Sequence, residues 1–177
     1  MSTESTPLWN VFEGWEGYQR SLVNAVRPLT AEQLAWRPAP HLRSVGELAG
    51  HIGQGRLVVF SRLQSPRAAE LASQTAADNP QETLYGNAEA LVRLLESSWG
   101  LIETALKDWT VADLATSYRF MDNGQAYALS RQWNMWLMLT HDLHHGGELA
   151  MLLGIQGVAA PELRERFGHL SIPPLAE

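Results

Sequence analysis

Apolar residues recur three and four positions apart in four stretches of this chain, the period of helices rather than of half-buried strands. In the first, Leu8, Phe12, Trp15, Leu22 and Val26 share one face while Glu13, Glu16, Arg20 and Asn24 turn away; Pro28 closes it, which predicts a helix over 8–26. A capping box, Ser44 with Glu47, opens the second stretch, whose stripe is Val45, Leu48, Ala49, Ile52, Val59 and Leu63 before Pro66 stops it. The third covers 87–106, with Ala88, Leu91, Leu95, Trp99 and Ile102 turned inward. The fourth is expected over 126–153, ended by Gly154. Four segments of similar length predict an all-α protein: a four-helix bundle in a single domain over 1–177, with its core over 8–158.

Shorter signals lie between these segments. Thr30 and Gln33 form another capping box, over TAEQLAW, and Pro38 and Pro40 make RPAPHLR extended. The polar stretch 64–84 is a connector long enough to permit a helix order other than up-down-up-down. A cap at Thr110 to Asp113 predicts a short turn, SYRF reads as extended, and Asp122-Asn123-Gly124 is a turn signal. A small terminal helix is expected after Pro161. Gly50, Gly53 and Gly55 sit inside the second helix, where each costs up to ~1 kcal/mol against alanine. That cost points to close approach of a neighbour, or to room beside His51.

The formal charge of −6 argues against nucleic acid or an anionic membrane as partner, since phosphate binding needs a basic patch. The arginines Arg20, Arg27, Arg37, Arg43, Arg56 and Arg62 are scattered and form no block. With no cysteine, neither a disulfide nor a thiolate ligand is available, and a transition-metal site must use His, Asp or Glu. The N-terminus does not read as a signal peptide and no stretch is long enough for a membrane span, so a cytoplasmic location is expected. The seven tryptophans are expected to be mostly core or interface anchors.

Three histidines carry the chemistry: His51 in GELAGHIGQ, and His141 and His145 in THDLHHGGEL. Four residues apart, His141 and His145 leave the same side of one helix. On a helical wheel His145 falls about 40° to one side of His141 and Glu148 about 20° to the other. Asn134, Leu137, Met138 and Leu152 share that otherwise apolar side, so buried imidazoles there need partners. A divalent metal held by His51, His141 and His145 would satisfy them. The plain alternative for an HxxxH pair is two surface or singly hydrogen-bonded histidines.

His144 is the rival ligand; about 60° from His141 on the side away from His145, it reads as a pocket-rim residue. His41 and His169 are further candidates for a fourth ligand. Glu148 has three readings: it accepts the second N–H of a ligand imidazole, orients a metal-bound water, or acts as a catalytic base; a solvated glutamate is the plain one. Glu47 is read as the capping partner of Ser44.

LTAEQLAWRPAP, SVGELAGHI, RQWNMWLMLTH and HDLHHGGEL, in this order, resemble the DinB-like superfamily, also known as the YfiT-like metal-dependent hydrolase group, over roughly residues 8 to 158. The resemblance implies a four-helix bundle of non-sequential helix order, a homodimer, and His51, His141 and His145 as ligands of nickel, zinc, iron or manganese. It also implies enzymes that use low-molecular-weight thiols such as bacillithiol or mycothiol, one branch isomerising maleylpyruvate. After His145 the chain departs from the pattern: Gly146 stands where arginine is frequent and Glu148 where glutamine is. A basic neighbour is lost there and a carboxylate appears, so roles that need the arginine, including recognition of an acidic substrate group, do not carry over from the resemblance.

Three classes of function follow. The first is a metal-dependent enzyme acting on a small molecule, by thiol S-transfer (which fits the family) or by hydrolysis (which fits Glu148). The second is a non-catalytic small-ligand or metal-binding stress protein, with Trp133 and Trp136 serving a pocket or a dimer seam. The third, a purely structural metal, ranks last because structural zinc usually takes four protein ligands, often including cysteine.

Overall fold

The computed structural model describes residues 5–63, 70, 73 and 81–160. The expected helix after Pro161, His169 and most of the 64–84 connector lie outside the described residues. The described chain is mostly helical: α1 (Leu8–Val11), α2 (Trp15–Val26), α3 (Ala31–Ala35), α4 (Val45–Arg62), α5 (Gln81–Tyr85), α6 (Ala88–Asp108), a short 3-10 turn (Ala112–Ala115), strands β1 (Ser117–Asp122) and β2 (Gln125–Ser130), and α7 (Arg131–Ile155).

Capping chemistry sets most of these boundaries. Both capping boxes are formed, Thr30 with Gln33 at α3 and Ser44 with Glu47 at α4. Asn87 caps α6 through Ala90 N–H, and Thr110 donates to Asp113 from backbone and side chain at 2.8 Å ahead of the 3-10 turn.

Three expected boundaries are corrected. The helix predicted over 8–26 is broken at 12–14, because Gly14 takes φ +96° and starts α2 afresh at Trp15. The fourth helix begins at Arg131 rather than at 126. Residues 125–130 instead pair antiparallel with 117–122, so the protein carries a small two-stranded sheet and is not all-α. Asn123 (φ +48°) and Gly124 (φ +79°) make the two-residue turn that joins these strands, the conformation a twisted hairpin favours. At its far end α7 passes through Gly154 to Ile155. Its stop is Gly157 at φ +72°, where Val158 N–H bonds Leu153 O and Gly157 N–H bonds Gly154 O.

Among the described residues α2, α4, α6 and α7 contribute to one apolar core, together with Leu8, Leu34 and Leu84. α4 lies between α6 and α7, and α2 packs against α6, so spatial neighbours do not follow chain order. Leu22, Ile52, Leu91, Leu95, Ile102 and Leu149 are among the fully buried side chains. Trp15 and Trp99 are buried, but Trp133 and Trp136 are exposed, the latter by 64%. Two glycines of α4 permit close approach: a β-carbon on Gly50 would meet the Tyr85 ring at 2.5 Å, and one on Gly53 would meet Leu94 Cγ at 2.6 Å. No described helix is long and apolar enough to cross a membrane.

Candidate metal centre

The start of α4, fixed by its capping box, places His51 two turns into the helix and facing α7. His141 and His145 lie one turn apart on α7, and the three rings meet. Centroids are 5.0 Å apart for His51–His141, 4.5 Å for His51–His145 and 4.6 Å for His141–His145. One ring nitrogen from each lies within 4.8 Å of the other two, and His51 Nε2 is 3.1 Å from His145 Nε2. Gly55 completes the arrangement: a β-carbon there would stand 2.6 Å from His141 Cε1 and 2.7 Å from Nε2. α4 thus contributes one imidazole and, one turn on, the space for another.

The electrostatics favour the neutral form of His51 and His145. Burial, the nearby Arg43 guanidinium and the two other histidines bring His51 down to about 4. Burial also lowers His145, opposed by its hydrogen bond to Glu148. Burial alone would raise the Glu148 carboxyl, but the His145 bond and the charges of His145, His144 and Arg43 outweigh it and hold the group below its usual range. An ionised carboxylate can only accept, so at 2.7 Å His145 donates from Nδ1 to Glu148 Oε2. That fixes the tautomer and turns the Nε2 lone pair toward His51.

These residues fit a divalent cation. Metal–nitrogen bonds of ~2.0–2.1 Å put two ligand nitrogens roughly 3 Å apart around one ion, which matches the His51–His145 spacing of 3.1 Å. His141 Nδ1 is buried without a hydrogen-bond partner; the nearest carboxylate oxygen, Asp142 Oδ1, is 3.8 Å away and too far to serve. Three neutral donors would leave the ion's charge uncompensated.

The rivals sit elsewhere. His144, His145 and Glu148 also bring ligand atoms within 4.8 Å of one another, but His144 is 67% exposed and its Nε2 lies 3.5 Å from Glu148 Oε1 at the rim. His41 is on the loop before α4, outside the cluster. Glu47 carries out its capping role and also accepts from Arg37 at 2.9 Å.

Behind the imidazoles lies a polar network that the sequence reading did not find. Arg56 and Asp142 are both 0% exposed and paired at 2.7 Å. Arg56 also donates to Gln19 Oε1 and Leu95 O, and Trp15 Nε1 donates to Asp142 Oδ2 at 3.0 Å. The signal was present in the spacing: Arg56 is four residues after Ile52 and three before Val59, and Asp142 is four after Met138, each a charge at an apolar-stripe position. Gly146 also gains a reason, since a side chain there would collide with the Tyr18 hydroxyl of α2.

Fold and site together define a mostly helical protein with a three-histidine cluster between two of its long helices. The sequence profile of the DinB superfamily matches residues 15–149, and the chain belongs to that superfamily. Among solved structures, it is similar to a DinB-like protein from Bacillus cereus, with a TM-score of 0.60 at 20% identity, covering 83% of this chain and 91% of that one. A comparison with curated proteins gives no match.

Proposed function

We propose that this DinB superfamily member is a metal-dependent enzyme that transfers a low-molecular-weight thiol, of the bacillithiol or mycothiol type, to a small electrophile. The convergence of three imidazoles beside the Glu148 carboxylate carries this reading. His51, His141 and His145 would hold the cation, which when bound supplies the Lewis acidity that favours a deprotonated thiol or water. Nickel, zinc, iron and manganese all suit such donors. Glu148 keeps His145 in its ligating tautomer. The fold reading that goes with this proposal is the four-helix bundle formed by α2, α4, α6 and α7.

Hydrolysis is the second reading, favoured by one observation: Glu148, bonded to His145, also lines a cavity of about 620 Å³. We propose a homodimer in the cytoplasm as the working form; the exposed Trp136 and Leu143, seven residues apart on α7, support a seam along that helix.

The test begins with protein purified without chelator. Elemental analysis should find about one metal per chain, absent from His141→Ala and strongly reduced in His51→Ala. Thiol conjugation to chlorinated or epoxide electrophiles should then depend on added metal. Metal-free wild type, or no turnover with either thiol alongside saturable binding of an apolar ligand, would overturn the enzyme reading.

A further inference from the structure

The segment before α4 walls the site. Two cavities, of about 360 and 620 Å³, adjoin it, and both are lined by His41, Leu42 and Arg43. His51 lines the smaller cavity and Glu148 the larger, whose lining also includes the apolar Leu48, Met151, Leu152 and Ile155. Arg43 therefore lines both cavities, the smaller reaching His51 and the larger reaching Glu148.

Its charge is free to act there. Among the described residues the other arginine at this mouth, Arg37, is committed: it donates to Glu47 Oε1 at 2.9 Å and to Leu42 O at 3.3 Å. Those bonds, with Leu42 N–H to Ala39 O at 3.0 Å and Val45 N–H to Trp36 O at 3.1 Å, brace the loop. The Arg43 guanidinium makes no hydrogen bond or ion pair among the described residues, and Arg43 lines both the cavity that reaches His51 and the one that reaches Glu148. A braced loop that carries an exposed, unpaired guanidinium at the wall of a largely apolar cavity offers an anion contact.

We infer that Arg43 recognises an anionic group, a carboxylate or its equivalent, on a substrate whose apolar body occupies the larger cavity. The substrate class is a small monoacid with a hydrocarbon portion. This rests on the proposed reading of the site as an enzyme centre, and the experiment separates the two.

Hexanoate and its neutral amide, hexanamide, are titrated calorimetrically into zinc-treated and chelator-treated protein, with zinc content measured in parallel. The acid should bind about tenfold or more tightly than the amide, the size expected of a charge-assisted hydrogen bond. That preference should persist after chelation, disappear in Arg43→Gln and survive in part in Arg43→Lys. It should be unchanged in Arg93→Gln, which removes the same charge from the exposed face of α6. A preference that vanishes on chelation and is intact in Arg43→Gln puts the carboxylate on the metal and overturns the assignment to Arg43. So does equal binding of acid and amide, or no binding of either. Wild type that retains no zinc sinks the metal reading alone, since the comparison in chelator-treated protein still reports on Arg43.

Discussion

Gly55 decides whether His141 can occupy its place. A methyl group there would meet the imidazole at 2.6 Å, so the ring must leave the cluster or α4 must shift. Gly55→Ala should therefore fold, aided by alanine's better helix propensity, but lose metal about as completely as His141→Ala. Gly100, in α6 with nothing within 4 Å, is the control: Gly100→Ala should keep its metal and gain about 0.5–1 kcal/mol by urea unfolding. Glu148→Gln keeps an oxygen for His145 Nδ1–H but not the charge, so metal affinity should fall about 10- to 100-fold. Complete loss of metal in that variant would make Glu148 a ligand. The three histidines were legible because imidazoles on an apolar stripe demand a partner. Arg43 was not, because a lone arginine on a loop has no period, and only the fold shows what it faces.

The elements depend on where caps and glycines fall. Both capping boxes and the long runs 45–62 and 88–108 follow directly from local chemistry, which acts within four residues. The errors came where periodicity was extended past a breaker. Trp15 continues the apolar face of Leu8, yet Gly14 between them takes a left-handed conformation and restarts the helix. QAYALS pairs with SYRFMD, but its burial does not alternate and its apolar residues run on into the helical pattern, so periodicity does not mark it as a strand. The α4 cap is open to test by acid. Bonding to Ser44 N–H, with help from Arg37 and against a smaller burial effect, holds the Glu47 carboxyl below its usual value of 4.5. A depressed folded-state pKa contributes stability above the unfolded value, and that contribution disappears as pH falls through the folded one. The Tm gap between wild type and Glu47→Gln should thus be full near neutrality and close below pH 4.5. Ser44→Ala, which removes the other half of the box, should cost about 1 kcal/mol, measured by urea unfolding near neutrality.

At the scale of the molecule, one buried guanidinium joins all four long helices. Arg56 on α4 reaches Asp142 on α7, Gln19 on α2 and the Leu95 carbonyl of α6. Periodicity alone does not set helix order, because four amphipathic stripes fit several arrangements and long-range pairs such as Trp15–Asp142 select among them; the expectation of a non-sequential order came from the family resemblance. A buried ion pair is weak evidence of net stability, since its desolvation opposes its attraction, but breaking one side strands a charge. Arg56→Met should therefore cost about 3–5 kcal/mol in urea unfolding. The double variant Arg56→Met with Asp142→Leu should cost clearly less than the two single changes summed, because neither charge is left alone. If the pair also holds α7 in register against α4, metal affinity in the double variant should fall even where stability recovers. Recovery of stability and metal together would mean that Arg56 balances Asp142 without positioning the imidazole beside it.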